Sequence, residues 1–299
     1  MAHTADASVW KLGGLSVRDL TARVWDEIGR DEVMERAAAL SYYFLFALFP
    51  ALLFLVALLS YLPLQGVQER LLAYAREVMP PAAAMTLDKT LGEIVNARRG
   101  GLLSVGVLAT LWASSNGMAS IMSTLNAVWG VREGRPWWKR RLLAVALTLG
   151  FSIFVIAAMV LMVFGPKIGG LVANWFGLGD VFTAAWNIAS IPIVIACALI
   201  GIQLVYYLAP ARARHWHWIT PGAALALIAW LAMSFGLRIY VNHFGNYSAT
   251  YGSIGGVILL MLWFYLSSVV FLVGAEVDAE IEAAAARAQT RPAIRRAAA

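Results

Sequence analysis

The stretch PGAALALIAWLAMSFGLRIYVNHFGNYSATYGSIGGVILLMLWFYLSSVVFLVGAEVDAEI, at residues 221–281, decides the fold of this chain. It covers two apolar runs, 219–243 and 254–277, on either side of a short polar loop at 244–253. Each run has the length of about 20 residues that a helix needs to cross the hydrocarbon core of a bilayer. The stretch therefore predicts two consecutive transmembrane helices.

Four earlier runs have the same character, at 37–62, 101–127, 142–164 and 182–208. The chain of 299 residues is 61% hydrophobic and only 13% charged, whereas a soluble domain is about half apolar and a quarter charged. Backbone polar groups in lipid must be satisfied within their own segment, so we expect these runs to be helices. We predict an all-α polytopic membrane protein with six transmembrane helices.

The polar segments divide the chain into three parts. Residues 1–36 are predicted to be an amphipathic N-terminal segment, residues 37–282 the membrane domain, and residues 283–299 a basic tail. Within the membrane domain, residues 63–99 are expected to form a helical cap on the outer side. Amphipathic helices are therefore predicted on both sides of the membrane.

The N-terminal segment contains a predicted amphipathic helix at residues 16–30. Ser16 is placed to cap its first turn, because a serine hydroxyl can accept from the free backbone N–H groups there. Four apolar side chains share one helical face: Val17, Leu20, Val24 and Ile28. We expect this face to lie on the inner membrane surface or to pack under the bundle.

Lysine and arginine concentrate in alternate segments between the predicted spans. Most of them lie in residues 1–36, 128–141, 209–218 and 283–299, whereas the loop 244–253 has none. Because basic residues accumulate on the cytoplasmic side of a membrane protein, both termini are predicted to be cytoplasmic.

Three stretches carry a family resemblance. They are AAALSYYFLFALFPALLFL at 37–55, LWASSNGMASIMSTLNAVWGVREGRPWWKRR at 111–141, and the stretch at 221–281. The last combines a Pro-Gly entry, a Tyr-Ser-Ala-Thr-Tyr-Gly-Ser turn and a Gly-Ala-Glu exit. Together they resemble the YihY/BrkB family, once labelled ribonuclease BN, over nearly the whole chain. The resemblance implies a six-helix protein of the bacterial inner membrane with cytoplasmic ends, and it implies no catalytic residues.

Side chains suited to catalysis are sparse. A metal-dependent nuclease needs clustered carboxylates or His–Asp sets, but His215 and His217 alternate on a short loop without an adjacent acid. The acids at the end of the last span are spaced two apart, so neighbours point in different directions: Glu276, Asp278, Glu280 and Glu282. There is no Gly-Lys-Ser/Thr phosphate loop. We predict no enzymatic activity, no cofactor, no metal site and no nucleic-acid partner.

Polar residues inside a predicted span are costly and often functional. Arg238 lies near the outer end of the fifth span. It either snorkels to the outer interface or offers a positive charge inside the bundle to a phosphate or carboxylate. Asn242, Tyr247 and Tyr251 lie close to it in the sequence. We therefore treat these four residues as candidates for a substrate site.

The second span carries Ser115 and Asn116 near its middle. Ala109, Ala113 and Gly117 recur every fourth residue beside them, a pattern typical of close helix packing in membranes. Packing is the favoured interpretation, and a polar cavity that lines a substrate path is the alternative.

Two prolines, Pro50 and Pro192, fall inside the first and fourth spans. A proline inside a helix frees a backbone carbonyl and kinks the helix. Interruptions at matching positions can mark the binding site of a transporter with two related halves, although no sequence repeat accompanies these prolines.

The loop after the second span is basic and aromatic, with Arg135, Lys139, Arg140 and Arg141 beside Trp137. Such clusters can bind RNA by charge and stacking, but anionic phospholipid is the closer partner at a membrane surface. Ordinary anchoring by the positive-inside rule is the simpler alternative.

These features favour a protein that transports or handles an amphiphilic anion such as a lipid. Membrane lipids are its expected partners, with a small amphiphilic substrate as a further one. The alternative is a non-catalytic scaffold or envelope-integrity protein that works by binding partners. A cavity between helices would favour the first, whereas a closed bundle with Asn116 and Arg238 bonded to neighbouring helices would favour the second.

Overall fold

The computed structural model describes residues 10–61, 102–176, 179–212, 216–244 and 247–297. All regular structure in this part of the chain is helical. A short 3-10 turn, Leu12–Gly14, precedes seven helices. They are α1 (Val17–Arg30), α2 (Val33–Tyr61), α3 (Leu102–Val128), α4 (Trp137–Phe176), α5 (Gly179–Leu208), α6 (Pro221–Phe244) and α7 (Tyr247–Ala297). The all-α prediction is confirmed, while the predicted outer cap at 63–99 lies outside the described residues.

Four helical stretches within the described residues are long and apolar enough to cross a membrane. They are Trp137–Ala158, Ile188–Leu208, Pro221–Val241 and Gly255–Ala288, and they coincide with the third to sixth predicted spans. Helices α2 and α3 occupy the positions of the first two predicted spans. That these two also cross the membrane, giving six spans, stays a prediction.

The outward faces of the long helices are apolar. Large hydrophobic side chains such as Phe151, Ile188, Ile228 and Phe235 are more than half exposed. In water such a surface would be unfavourable, because each exposed apolar side chain forfeits the free energy of its burial. Lipid is the solvent that removes this cost, which agrees with the composition of the chain.

Helices α6 and α7 form the antiparallel pair that the opening stretch predicts. The indole N–H of Trp230 donates to Ser267 Oγ at 3.1 Å, and that of Trp263 donates to Ser234 Oγ at 3.3 Å. The pair with the higher residue number on α6 has the lower residue number on α7, so the two helices run in opposite directions. Polar side chains inside the membrane thus satisfy each other between the helices.

The two helices of this pair approach most closely at Gly222 and Gly274. A Cβ atom on Gly274 would lie 2.6 Å from the Gly222 carbonyl oxygen and 2.7 Å from Ala226 Cβ. Contacts this short are excluded, so only glycine fits. These glycines belong to the Pro-Gly and Gly-Ala-Glu ends of the 221–281 stretch, and the fold brings both ends together.

The buried core lies where α2, α3, α4, α5 and α7 meet. Tyr206 is fully buried at its centre, with its ring 5.9 Å from that of Trp129 and 4.8 Å from that of Phe271. Its hydroxyl donates to the Phe271 carbonyl oxygen. Helix α2 packs on α3 and α7, and α4 packs on α3 and α5.

Helix α1 packs under this bundle. Ser16 accepts from the Asp19 N–H at 3.1 Å, which confirms the predicted cap. Leu20 and Val24 are buried against Val277 and Ile281 of α7. The predicted apolar face is one residue too long, because Val17 is 68% exposed.

Candidate functional site

A groove of about 550 Å³ runs between α2 and α3. This volume falls within the usual range for small-molecule sites, about 300–1,000 Å³. Helix α2 contributes Arg36, Ala39, Tyr42, Tyr43, Phe46, Ala47 and Pro50 to its lining, and α3 contributes Ala113, Asn116, Ala119, Ser120, Ser123 and Thr124. Arg140 of α4 completes the lining. This groove therefore lies between the helices at the positions of the first two predicted spans.

The groove changes in polarity along its length. Arg36 lies at one end, and Pro50 lies 14 residues further along α2, about 20 Å away at 1.5 Å per residue. Between them stand aromatic side chains that are roughly half exposed: Tyr42, Tyr43 and Phe46. A charged head and an apolar body could therefore be accommodated in the same groove.

Arg140 reaches the groove from the first turn of α4. Its Nη2 donates to the Ala119 carbonyl oxygen at 3.2 Å, and its Nε lies 3.9 Å from Glu133 Oε2. That Nε is buried and has no hydrogen-bond partner among the described residues. A buried guanidinium N–H without an acceptor is costly, so an anionic ligand in the groove would gain from reaching it.

Arg36 occupies the other basic position. Its Nε donates to the Asp31 carbonyl oxygen at 2.6 Å, which ties this arginine to the turn between α1 and α2. The side chain is partly buried and lines the groove. The two arginines come from different helices and face one space, an arrangement suited to a phosphate or carboxylate group.

Of the two central candidates on α3, only one faces the groove. Asn116 lines it and accepts through Oδ1 from Arg141 Nη1 at 2.7 Å. Ser115 is fully buried, and its hydroxyl donates to the Trp112 carbonyl oxygen at 2.8 Å. Ser115 therefore serves helix packing and does not line the groove. Gly117 packs against Phe44 and Ala47 of α2, as the small-residue pattern predicts.

Arg238 lies away from the groove. It is exposed on α6, beside the exposed apolar side chains Phe235 and Ile239. This setting favours the interpretation in which the arginine snorkels from a lipid-facing surface. The side chains of Asn242, Tyr247 and Tyr251 lie outside the described residues, so their proposed part in a site stays a prediction.

Both prolines lie inside continuous helices. Pro50 is within α2 and Pro192 is within α5. Pro50 also lines the groove, whereas Pro192 is exposed. The kinks themselves, and an equivalence of two halves, stay predictions.

The basic loop has more internal partners than its sequence suggests. Arg135 donates through Nη1 to the Ala209 carbonyl oxygen at 3.1 Å and also reaches the carbonyl oxygen of Leu208, so it caps the end of α5. Arg141 donates to Asn116 and lies 3.8 Å from the centre of the Trp112 ring. Lys139 is exposed over the Trp138 ring. Contact with anionic lipid thus stays a prediction, and Lys139 is the member best placed for it.

Asp278 on α7 anchors the start of α6. Its Oδ1 accepts from the Gly222 N–H at 2.8 Å, and its Oδ2 contacts the Thr220 hydroxyl. Thr220 also lies 2.7 Å from the side-chain amide of Gln203. The Thr220 hydroxyl has one proton and faces two acceptor oxygens, Gln203 Oε1 and Asp278 Oδ2, so it donates to one of them at a time. These buried bonds fix the α6–α7 pair.

Sequence reasoning missed four residues that the structure makes prominent: Arg36, Tyr42, Tyr43 and Asp31. Arg36 directly precedes the first apolar run and looks like an ordinary basic flank. The Tyr42-Tyr43 pair in an otherwise apolar run was the available signal. Among the described residues, no three His, Cys, Asp or Glu side chains are placed to hold a metal ion.

Comparisons with known proteins identify a family of similar sequences. The sequence model of a family described as virulence factor BrkB matches residues 24–298. The chain is 38% identical to the ribonuclease-like protein YfkH of Bacillus subtilis, over 83% of this chain and 90% of YfkH. It is 29% identical to a UPF0761 membrane protein of Stenotrophomonas maltophilia, over 87% of this chain but 60% of that longer protein. No solved structure matches the chain.

Proposed function

The chain belongs to the BrkB family of membrane proteins, and from the groove between α2 and α3 we propose that it binds an amphiphilic anion and moves it within or across the bilayer. An anionic lipid is the proposed substrate class. The ribonuclease-like name belongs to YfkH, and within the described residues no three His, Cys, Asp or Glu side chains are placed to hold a metal ion.

The observation that carries this proposal is the pairing of two arginines with an aromatic wall. Arg36 and Arg140 face one groove, and the buried Nε of Arg140 has no hydrogen-bond acceptor within the described part of the chain. Tyr42, Tyr43 and Phe46 stand beside them and are open to the surroundings of the helices. A lipid headgroup at the arginines would leave an acyl chain free to follow the apolar part of the groove.

The groove also suits an anion on energetic grounds. Charge-assisted hydrogen bonds are shorter and about twice as strong as neutral ones, and a low-dielectric setting strengthens them further. The aromatic residues add apolar contact area without a charge of their own. Specificity for anionic over zwitterionic headgroups is therefore expected.

Lipid binding by the purified protein in detergent tests the proposal. Labelled phosphatidylglycerol should bind more tightly than phosphatidylcholine. Arg140→Gln should weaken that binding by roughly 10- to 150-fold, since one charge-assisted hydrogen bond is worth roughly 1.5–3 kcal/mol. Arg132→Gln is the matched control, because this arginine of the same loop is exposed and does not line the groove. Equal binding of both lipids, or equal loss in both variants, would refute the proposal.

Movement of the lipid needs a second measurement. Protein reconstituted into vesicles should speed the exchange of labelled phosphatidylglycerol between leaflets, and Arg36→Gln should slow it. Binding without any accelerated exchange would leave a lipid-binding protein that is not a transporter.

A non-transporting scaffold is the second candidate. The observation in its favour is the bond between Asn116 and Arg141, which joins α3 to α4 in the way a packed bundle would. The groove beside this bond favours the first candidate instead.

A further inference from the structure

Two carboxyl groups meet where α1, α2 and α7 come together. Glu276 of α7 is only 1% exposed. Its side chain lies within hydrogen-bonding reach of that of Asp31, in the turn between α1 and α2. Two carboxylates cannot hydrogen-bond to each other, because neither has a donor, so the bond requires one proton. Two carboxyl groups this close are therefore compatible when one of them carries a proton.

The charged groups around the pair are mostly engaged elsewhere. The acids are Glu27 on α1 and Glu280 on α7, and the cations are Arg23 and Arg30 on α1 and Arg36 on α2. Arg30 pairs with Glu27 at 2.8 Å, and Arg23 lies 3.7 Å from Glu280. Arg36 donates to the backbone carbonyl of Asp31. Among the described residues, no cation forms a salt bridge with Glu276.

One oxygen of Glu276 is left without any donor. Glu276 Oε1 is buried and has no hydrogen-bond partner in the described part of the chain. An ionised carboxylate without donors or a counter-ion is very costly to bury. The proton therefore belongs on Glu276, which donates it to Asp31, while Arg36 favours the negative charge on Asp31.

The surroundings of Asp31 also favour a proton held within the pair. Burial raises the pKa of the Asp31 carboxyl above its usual value, and the negative charge of Glu27 raises it further. The hydrogen bond from Glu276 and the positive charge of Arg36 offset part of this effect. A pair with these surroundings titrates as a unit.

We propose that Asp31 and Glu276 form a proton-binding site that holds the turn between α1 and α2 against α7. Loss of the proton leaves two adjacent negative charges, which repel each other and release the turn. Arg36 is tied to the Asp31 backbone, so release of the turn also moves one of the two arginines of the groove. The site itself rests on the contacts of Asp31 and Glu276 and does not depend on what the groove binds.

Infrared spectroscopy of the full-length protein in detergent tests the site directly. At neutral pH the wild type should show a carbonyl stretching band of a neutral carboxylic acid, and this band should disappear as the pH is raised. Glu276→Gln should remove the band, whereas Glu35→Gln should keep it, because Glu35 is an exposed carboxyl on the next turn. Asp31→Asn should keep the band at a shifted frequency, because Glu276 then donates to an amide.

Three results would overturn the proposal. One is a wild-type spectrum without a band that depends on Glu276. Another is a band that survives at high pH in all variants. The third is loss of the band at constant pH when sodium or magnesium ions are added, which would make the pair a metal-cation site.

Hydrogen–deuterium exchange tests the effect on the turn. The measured exchange rates are first corrected for the intrinsic pH dependence of exchange. The equilibrium constant for opening of residues 17–36 should then rise by about tenfold per pH unit, over the pH range in which the closed state holds the proton and the open state does not. Glu276→Gln, which keeps a neutral side chain at all pH values, should remove that dependence. Equal pH dependence in wild type and Glu276→Gln would show that the pair does not control the turn.

Discussion

Replacing Gly222 by alanine should separate α6 from α7. A Cβ atom at this position would lie 2.5 Å from Asp278 Cγ and 2.6 Å from Asp278 Oδ1, and it would also collide with the Gly274 carbonyl oxygen. Carbon atoms pack at about 3.5–4.0 Å. The two helices must therefore move apart by about 1 Å at their closest approach.

The cost of this movement can be estimated from the bonds that it breaks. Overpacking of a close-packed site costs about 1–3 kcal/mol. The bond of 2.8 Å from the Gly222 N–H to Asp278 stretches as well, and hydrogen bonds to charged groups are worth about 1.5–3 kcal/mol. The better helix propensity of alanine returns about 1 kcal/mol. The net expectation is a loss of roughly 1.5–5 kcal/mol of folding free energy.

Thermal unfolding of the purified protein in detergent measures this loss. A loss of this size lowers the midpoint of a domain of 150–250 residues by roughly 3–20 °C. Gly236→Ala is the matched control, because it lies on the same helix and an added Cβ meets nothing within 4 Å. A midpoint for Gly222→Ala as high as that of Gly236→Ala would refute the close-approach argument.

Two further predictions concern the same preparation. Arg135→Ala removes the donors that cap the carbonyl end of α5, so it should lower the midpoint by several degrees, while Lys139→Ala should leave it nearly unchanged. The second concerns pH. Because the pKa of Asp31 is raised in the folded state above its ordinary value of 3.8, the folded state binds more protons than the unfolded one. The proton on Asp31 contributes its full stabilisation below the ordinary pKa of 3.8, and this stabilisation is lost as the pH rises through the raised pKa of the folded state. Midpoints measured from pH 4 upward should therefore fall more steeply for the wild type than for Asp31→Asn, and parallel curves would contradict the assignment.

Much of the fold was predictable because lipid imposes simple rules on a sequence. Apolar runs of spanning length must form helices, and the four described spans follow those runs closely. Ser16 was predictable as a cap because its role depends only on the three residues after it. The exposure of Val17 was not predictable from the sequence, because it depends on which residues of α1 reach α7.

The groove was less predictable, because it depends on which helices become neighbours. Asn116 was identified by its polarity inside a span. Arg140 was a candidate only as one of four basic residues in its loop, and Arg36 stands in a basic flank that the positive-inside rule already explains. Only the packing of α2 on α3, with the first turn of α4 against Ala119, brings the two arginines to one space.

Two carboxyl groups on α7 show why a buried acid cannot be interpreted from its residue type alone. Asp278 and Glu276 are two residues apart, so they point to different sides of the helix. Asp278 accepts from the Gly222 N–H and meets the Thr220 hydroxyl, and these donors stabilise its negative charge. Glu276 meets another carboxyl and has one oxygen without a donor, so the same burial favours its neutral form. Asp278→Asn should therefore weaken the α6–α7 junction, because its amide group places a donor next to the Gly222 N–H or the Thr220 hydroxyl. Glu276→Gln should be tolerated, because glutamine resembles the protonated acid in shape and charge.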